Sequence, residues 1–138
     1  MNTTSPILFA SLPTAVWIRI DGKGSFEISG QLREFVTRKI ELGETRFVFD
    51  LDRCPGMDST FMGTLLGISK DVSSKPAGLL DVVNANARNV QLLKNLGLTS
   101  MISLDEESER WHDERRQVGC LLAPCDDNSP RDKRVTAK

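Results

Sequence analysis

The chain has 138 residues, 39% hydrophobic and 27% charged, with a formal net charge of −1. That length suits one domain with a single core, and the charge balance excludes both the basic excess of a nucleic-acid binder and the acidic excess of a disordered chain. No apolar run reaches the roughly 20 residues a membrane-spanning helix needs, and residues 1–6 lack the basic-then-apolar layout of a secretory leader. Three cysteines (Cys54, Cys120, Cys125) are an odd count that suits a reducing compartment better than a disulfide framework. A cytoplasmic protein is the expectation. The only histidine, His112, has no cysteine at zinc-ligand spacing, so neither a metal nor a cofactor is expected.

In chain order, residues 7–10 and 16–20 are short β-like runs separated by Pro13. The turn Asp21, Gly22, Lys23, Gly24 matches neither nucleotide-binding glycine spacing. From about residue 29 to 42, Leu32, Phe35, Val36 and Ile40 recur at helical spacing, with Ser29 as a cap and Gly43 as a stop. Residues 46–51 read as a buried strand around Phe47, Val48 and Phe49. A helix follows from Ser59 to about residue 72, with Phe61, Met62, Leu65, Leu66 and Ile68 on one face. Gly63 and Gly67 within it permit close packing.

Residues 78–83 form the next strand. Asn84 and Asn86 offer caps for a helix carrying Val90, Leu93 and Leu96 and closed by Gly97. A last short strand covers residues 101–104, and a charged helix runs from Asp105 to about Arg116. Beyond residue 116 the pattern dissolves, and residues 117–138 read as a flexible tail on a domain of residues 1–116. The alternation predicts an α/β domain: a mixed sheet of four to five strands with about four helices packed on it. Right-handed crossovers would place the Ser59 loop and the Asn84 loop side by side at the carboxyl edge of the sheet.

Ser59 therefore stands beside Asp58 at a strand-to-helix junction, where a helix start tolerates negative charge. Two readings follow from spacing: Ser59 is the helix N-cap, or it is an exposed hydroxyl suited to carry a phosphate. Thr60 is a competing acceptor one residue further in. Met57 reads as an interface residue and Met62 as core. Cys54, in Cys-Pro-Gly, is either a small turn residue or a reactive thiol. No paired carboxylates or Ser/His/Asp set is apparent, so an enzyme is not expected.

The strand ending Phe49, Asp50, Leu51, the turn Met57, Asp58, Ser59, Thr60, and the apolar helix after it resemble the STAS domain family, in particular anti-sigma factor antagonists. A secondary match runs from Val83 and Asn84 through Ala87, Arg88, Val90, Leu92 and Leu93 to Gly97 and Leu98. The resemblance covers roughly residues 7–116. It implies a partner switch in which an anti-sigma factor that is also an ATP-binding, histidine-kinase-like serine kinase phosphorylates Ser59. It further implies a metal-dependent phosphatase that resets the cycle, and a docking surface of Met57, Asp58, Ser59, Thr60 and Asn84. No nucleic-acid or membrane partner is implied, and the chain would be a monomer or weak homodimer. The alternative is an unphosphorylated STAS scaffold in a larger regulatory or transport complex. Phe61 stands where many members carry a small residue, which would alter the docking shape.

Overall fold

The computed structural model describes residues 6–105, 116, 118 and 122–125. Strand β1 (Ile7–Ser11) turns through a tight hairpin, Leu12 N–H to Ala15 O at 2.9 Å, into β2 (Val16–Ile20). Helix α1 (Phe26–Glu41) leads to β3 (Arg46–Asp50), and α2 (Ser59–Ser73) leads to β4 (Leu79–Val83). Then follow α3 (Ala87–Asn95), a 3₁₀ turn (Leu98–Ser100), β5 (Ser103–Asp105) and a two-residue strand β6 (Ala123–Pro124). The sheet order is β5-β4-β3-β2-β1-β6. The strands β2 to β5 run parallel, and β1 is antiparallel to both its neighbours.

Parallel strands feeding helices put every helix start at one edge of the sheet, so α1, α2 and α3 all begin at the carboxyl edge. Helix α1 begins at Phe26, three residues before the expected start. The Ser25 hydroxyl accepts from Glu27 N–H at 3.3 Å, and Ile28 already belongs to the buried face with Leu32, Phe35 and Val36. Ser29, the expected cap, lies inside the helix and returns its hydroxyl to Ser25 O. In α2 the buried stripe is Phe61, Leu65, Ile68, Ser69 and Val72. Full burial of such apolar side chains contributes about 1.5–3 kcal/mol each. Of the two glycines in α2, Gly67 faces the Arg33 guanidinium so closely that a side chain would collide with it, while Gly63 meets nothing nearby. Arg33 in turn pairs with Asp71 at 2.8 Å, joining α1 to α2. Both partners are 43% exposed, which limits the pair to under about 1 kcal/mol.

The main core lies between these helices and one sheet face, with Ile18, Phe47, Phe49, Leu80 and Val82 pointing into it. The opposite face carries a smaller cluster of Trp17, Val48, Val83, Ala10, Leu12 and Ala15, closed over by Val118 and Leu122. Two cross-strand ion pairs flank it, Arg19–Asp50 at 3.8 Å and Arg46–Asp81 at 3.2 Å.

The α/β class and the mixed sheet stand as expected, with different counts. The described residues form six strands and three α-helices. The last parallel strand is displaced to Ser103–Asp105, and the expected charged helix lies almost wholly outside the described residues. Residues expected in a flexible tail are instead part of the packed body where they are described. Ala123 and Pro124 pair with Phe9 and Leu8, Cys125 N–H donates to Ile7 O at 2.8 Å, and Val118 and Cys125 are buried. The remainder of the segment lies outside the described residues.

Candidate functional site

The α2 start is built by three chain segments meeting at the carboxyl edge. The loop after β2 crosses the loop after β3 through a short parallel bridge: Gly24 N–H donates to Gly56 O at 2.9 Å and Asp58 N–H to Gly24 O at 2.8 Å. Gly24 is required at this crossing, because a Cβ there would lie 2.6 Å from the ring of Phe61, which is fully buried beneath it. The bulk of Phe61 therefore goes into the core and does not shape the exposed surface, contrary to the expectation from sequence. The loop after β4 joins from the other side. Asn86 Nδ2 donates to Pro55 O at 3.3 Å, and the buried Asn89 donates to Cys54 O at 2.8 Å. The Ser59 and Asn84 loops are neighbours, as the topology required.

Asp58, not Ser59, is the N-cap of α2: its Oδ1 accepts from Phe61 N–H at 2.8 Å. Its Oδ2 accepts from Phe26 N–H, also at 2.8 Å, at the first residue of α1. One carboxylate thus begins two helices. The Phe61 N–H bond, above all, holds the Asp58 carboxyl below the usual carboxylate range. Partial desolvation opposes this, while the Phe26 N–H, the Lys23 charge and the Thr60 N–H reinforce it. Ser59 and Thr60 are exposed in the first turn of α2. The tolerance of the α2 start for added negative charge is partly used up, since Asp58 already occupies the Phe61 N–H.

Met57 is 7% exposed and belongs to the core, whereas Met62 is only partly buried against it. This reverses the expected roles. Met57 forms the bridge partner of Gly24, so its backbone is fixed in extended form and its side chain turns inward. Asn84 adopts a left-handed backbone (φ 63°) and donates its side-chain amide to Asp50 Oδ1 at 3.2 Å. It is half-buried and lines an open pocket of about 480 Å³ with Asp52, Ala85, Ala87, Val90 and Gln91. Asp50 is fully buried, and its Oδ1 also accepts from Asp52 N–H at 3.0 Å. Cys54 is buried, with its thiol directed at Gly56 O at 3.3 Å. Burial pushes the thiol pKa up, against smaller opposing effects from backbone bonds at Gly24 and Gly56. A raised pKa and burial are the opposite of what a reactive thiolate needs.

The site thus offers an exposed hydroxyl on a rigid, doubly anchored helix start. Its adjacent carboxylate is a weak base, because two N–H donors stabilise the charged form. Sequence reasoning missed the tie from Asp58 to Phe26, the packing of Gly24 on Phe61 and the link from Asn84 to Asp50. Each joins residues 32 or more positions apart, and only the glycine left a local mark.

The sequence matches the STAS domain over residues 7–110. The chain belongs to the STAS domain family. No curated protein matches it. Among solved structures, TM1081 of Thermotoga maritima is 17% identical with a TM-score of 0.68, over 78% of this chain and 92% of that one. The anti-sigma factor antagonist SpoIIAA in its unphosphorylated form is 18% identical with a TM-score of 0.63, over 80% and 97%. The phosphorylated form of SpoIIAA, from Bacillus, matches with a TM-score of 0.60 at 22% identity over 76% and 97%. A sulfate transporter family protein from Wolinella succinogenes matches at 18% identity and a TM-score of 0.59, over 69% and 80%. At these identities the likeness establishes the STAS fold. No helix among the described residues is long and apolar enough to cross a membrane.

Proposed function

We propose that this STAS domain is an anti-sigma factor antagonist, a non-enzymatic cytoplasmic module switched by phosphorylation of Ser59. The observation that carries the reading is the division of labour at the α2 start. Asp58 supplies the cap, so the exposed Ser59 hydroxyl is not needed to begin the helix. The partner is an anti-sigma factor that is itself an ATP-binding serine kinase of histidine-kinase-like type, and a metal-dependent phosphatase restores the hydroxyl. Thr60, Asp58 and Asn84 border the docking surface, while Met57 supports it from beneath.

Phosphorylation adds nearly two negative charges at neutral pH. Placed beside the Asp58 carboxylate, that dianion would have to be desolvated against a partner surface suited to a neutral hydroxyl. Uncompensated burial of this kind costs several kcal/mol, or roughly a hundredfold or more in affinity. The domain itself needs no rearrangement. Incubation with the cognate kinase and ATP, followed by intact mass, should show one added phosphate in the wild type and none in Ser59→Ala. An undiminished gain in Ser59→Ala moves the acceptor elsewhere, Thr60 first. No gain in either favours the competing reading, an unmodified scaffold in a larger regulatory or transport complex; the Wolinella transporter-family protein shares the fold.

A further inference from the structure

We infer that Phe26 is the apolar anchor of the docking surface, inserted into a hydrophobic pocket of the anti-sigma factor beside Ser59; this rests on the function proposed above. Four large hydrophobic residues are exposed among the described residues: Phe26, Leu42, Leu79 and Leu96. Leu42 follows α1, Leu79 opens β4 and Leu96 follows α3, so these three lie at the amino edge of the parallel strands. Phe26 alone is at the carboxyl edge, and at 65% it is the most exposed of the four.

With most of Phe26 exposed, little of its side chain is packed against the described residues. Position 26 is the first residue of α1, after the Ser25 cap, and its contribution to the fold is its backbone N–H, given to Asp58 Oδ2. Any residue but proline could supply that bond. The same bond holds the Phe26 backbone against the residue that precedes Ser59, so the start of α1 and the start of α2 share one corner of the carboxyl edge. An aromatic ring on a rigid backbone loses little entropy on binding and is the commonest kind of interface anchor. Phe26 also sharpens the switch. A partner pocket apolar enough to take a phenyl ring is a poor environment for a dianion at the same corner.

The test uses the purified full chain and the anti-sigma factor kinase from the same genome, with affinity measured by calorimetry and stability by thermal melting. Phe26→Ala should weaken binding at least tenfold while leaving the melting temperature within about a degree, and Phe26→Leu should recover part of the loss. If the wild type binds and Phe26→Ala binds within twofold of it, the anchor assignment is overturned while the antagonist function stands. Failure of the unphosphorylated wild type to bind overturns both. A lowered melting temperature in Phe26→Ala, with affinity restored when both are measured well below it, assigns the ring to folding and also overturns the anchor.

Discussion

The two oxygens of Asp58 are each committed to a different helix, Oδ1 to Phe61 N–H in α2 and Oδ2 to Phe26 N–H in α1. Because these bonds favour the ionised form, the folded-state pKa lies below the unfolded value of about 3.9. The stabilisation is therefore fully present above roughly pH 5 and is lost as the pH falls through the folded pKa. Asp58→Asn keeps an acceptor for one helix start but cannot titrate. Melting temperatures measured from pH 7 down to pH 3 should fall less steeply in this variant than in the wild type. Parallel slopes would remove the carboxylate from the acid response. The sequence placed Asp58 and Ser59 at the helix start but offered Ser59 as the cap, a role the structure gives to Asp58. Both residue types are good caps, so local sequence does not separate them, and the second bond of Asp58, from Phe26 N–H 32 positions away, left no local sign. Met57 and Met62 were misread for a related reason: helical periodicity places Met62 inward, but Met57 precedes the helix, and its inward turn follows from the bridge to Gly24.

At the level of elements, the periodic apolar segments were legible because each local pattern agreed with its tertiary use: α2 and β3 to within a residue, and α3 from its Asn86 cap and Gly97 stop. The start of α1 slipped because Ile28 was not counted into the buried stripe that continues through Leu32. What sequence could not give was pairing between strands. Arg19 and Asp50 stand directly opposite each other on β2 and β3, and Asp50 also receives the Asn84 amide, so one buried carboxylate ties three carboxyl-edge segments. Asp50→Ala leaves the Arg19 guanidinium, 17% exposed, without its counter-charge. The expected cost is about 2–4 kcal/mol in urea unfolding. The double variant Arg19→Met, Asp50→Leu should recover the part of the loss that comes from the orphaned charge, while the Asn84 amide and the Asp52 N–H still lack their acceptor. A single variant within 0.5 kcal/mol of the wild type would mean that the pair contributes little.

For the whole molecule, the strand that local patterning could not reveal is β6. It has two residues, no periodicity, and a partner more than a hundred positions earlier. Alternation along the antiparallel ladder makes Ile7 with Cys125, and Phe9 with Ala123, the hydrogen-bonded pairs, so Pro124 between them turns its N–H-less nitrogen away from β1. An edge ending in proline is a poor template for another strand. A chain cut after residue 117 loses this cover together with the buried Val118 and Cys125. It should melt at a lower temperature and self-associate in size-exclusion chromatography with light scattering, whereas a cut after residue 127 should do neither. A monomeric, equally stable short chain would show that the clip is dispensable.

The bond from Cys125 to Ile7 has a topological corollary. Positions 7 and 125 are next-door neighbours on one rim, so the path from β1 to β6 is nearly a closed ring. A backbone rewired to join those two places and reopened at the solvent-facing bend between α2 and β4 would follow the same route from a different origin. It would leave the Ser59 corner untouched.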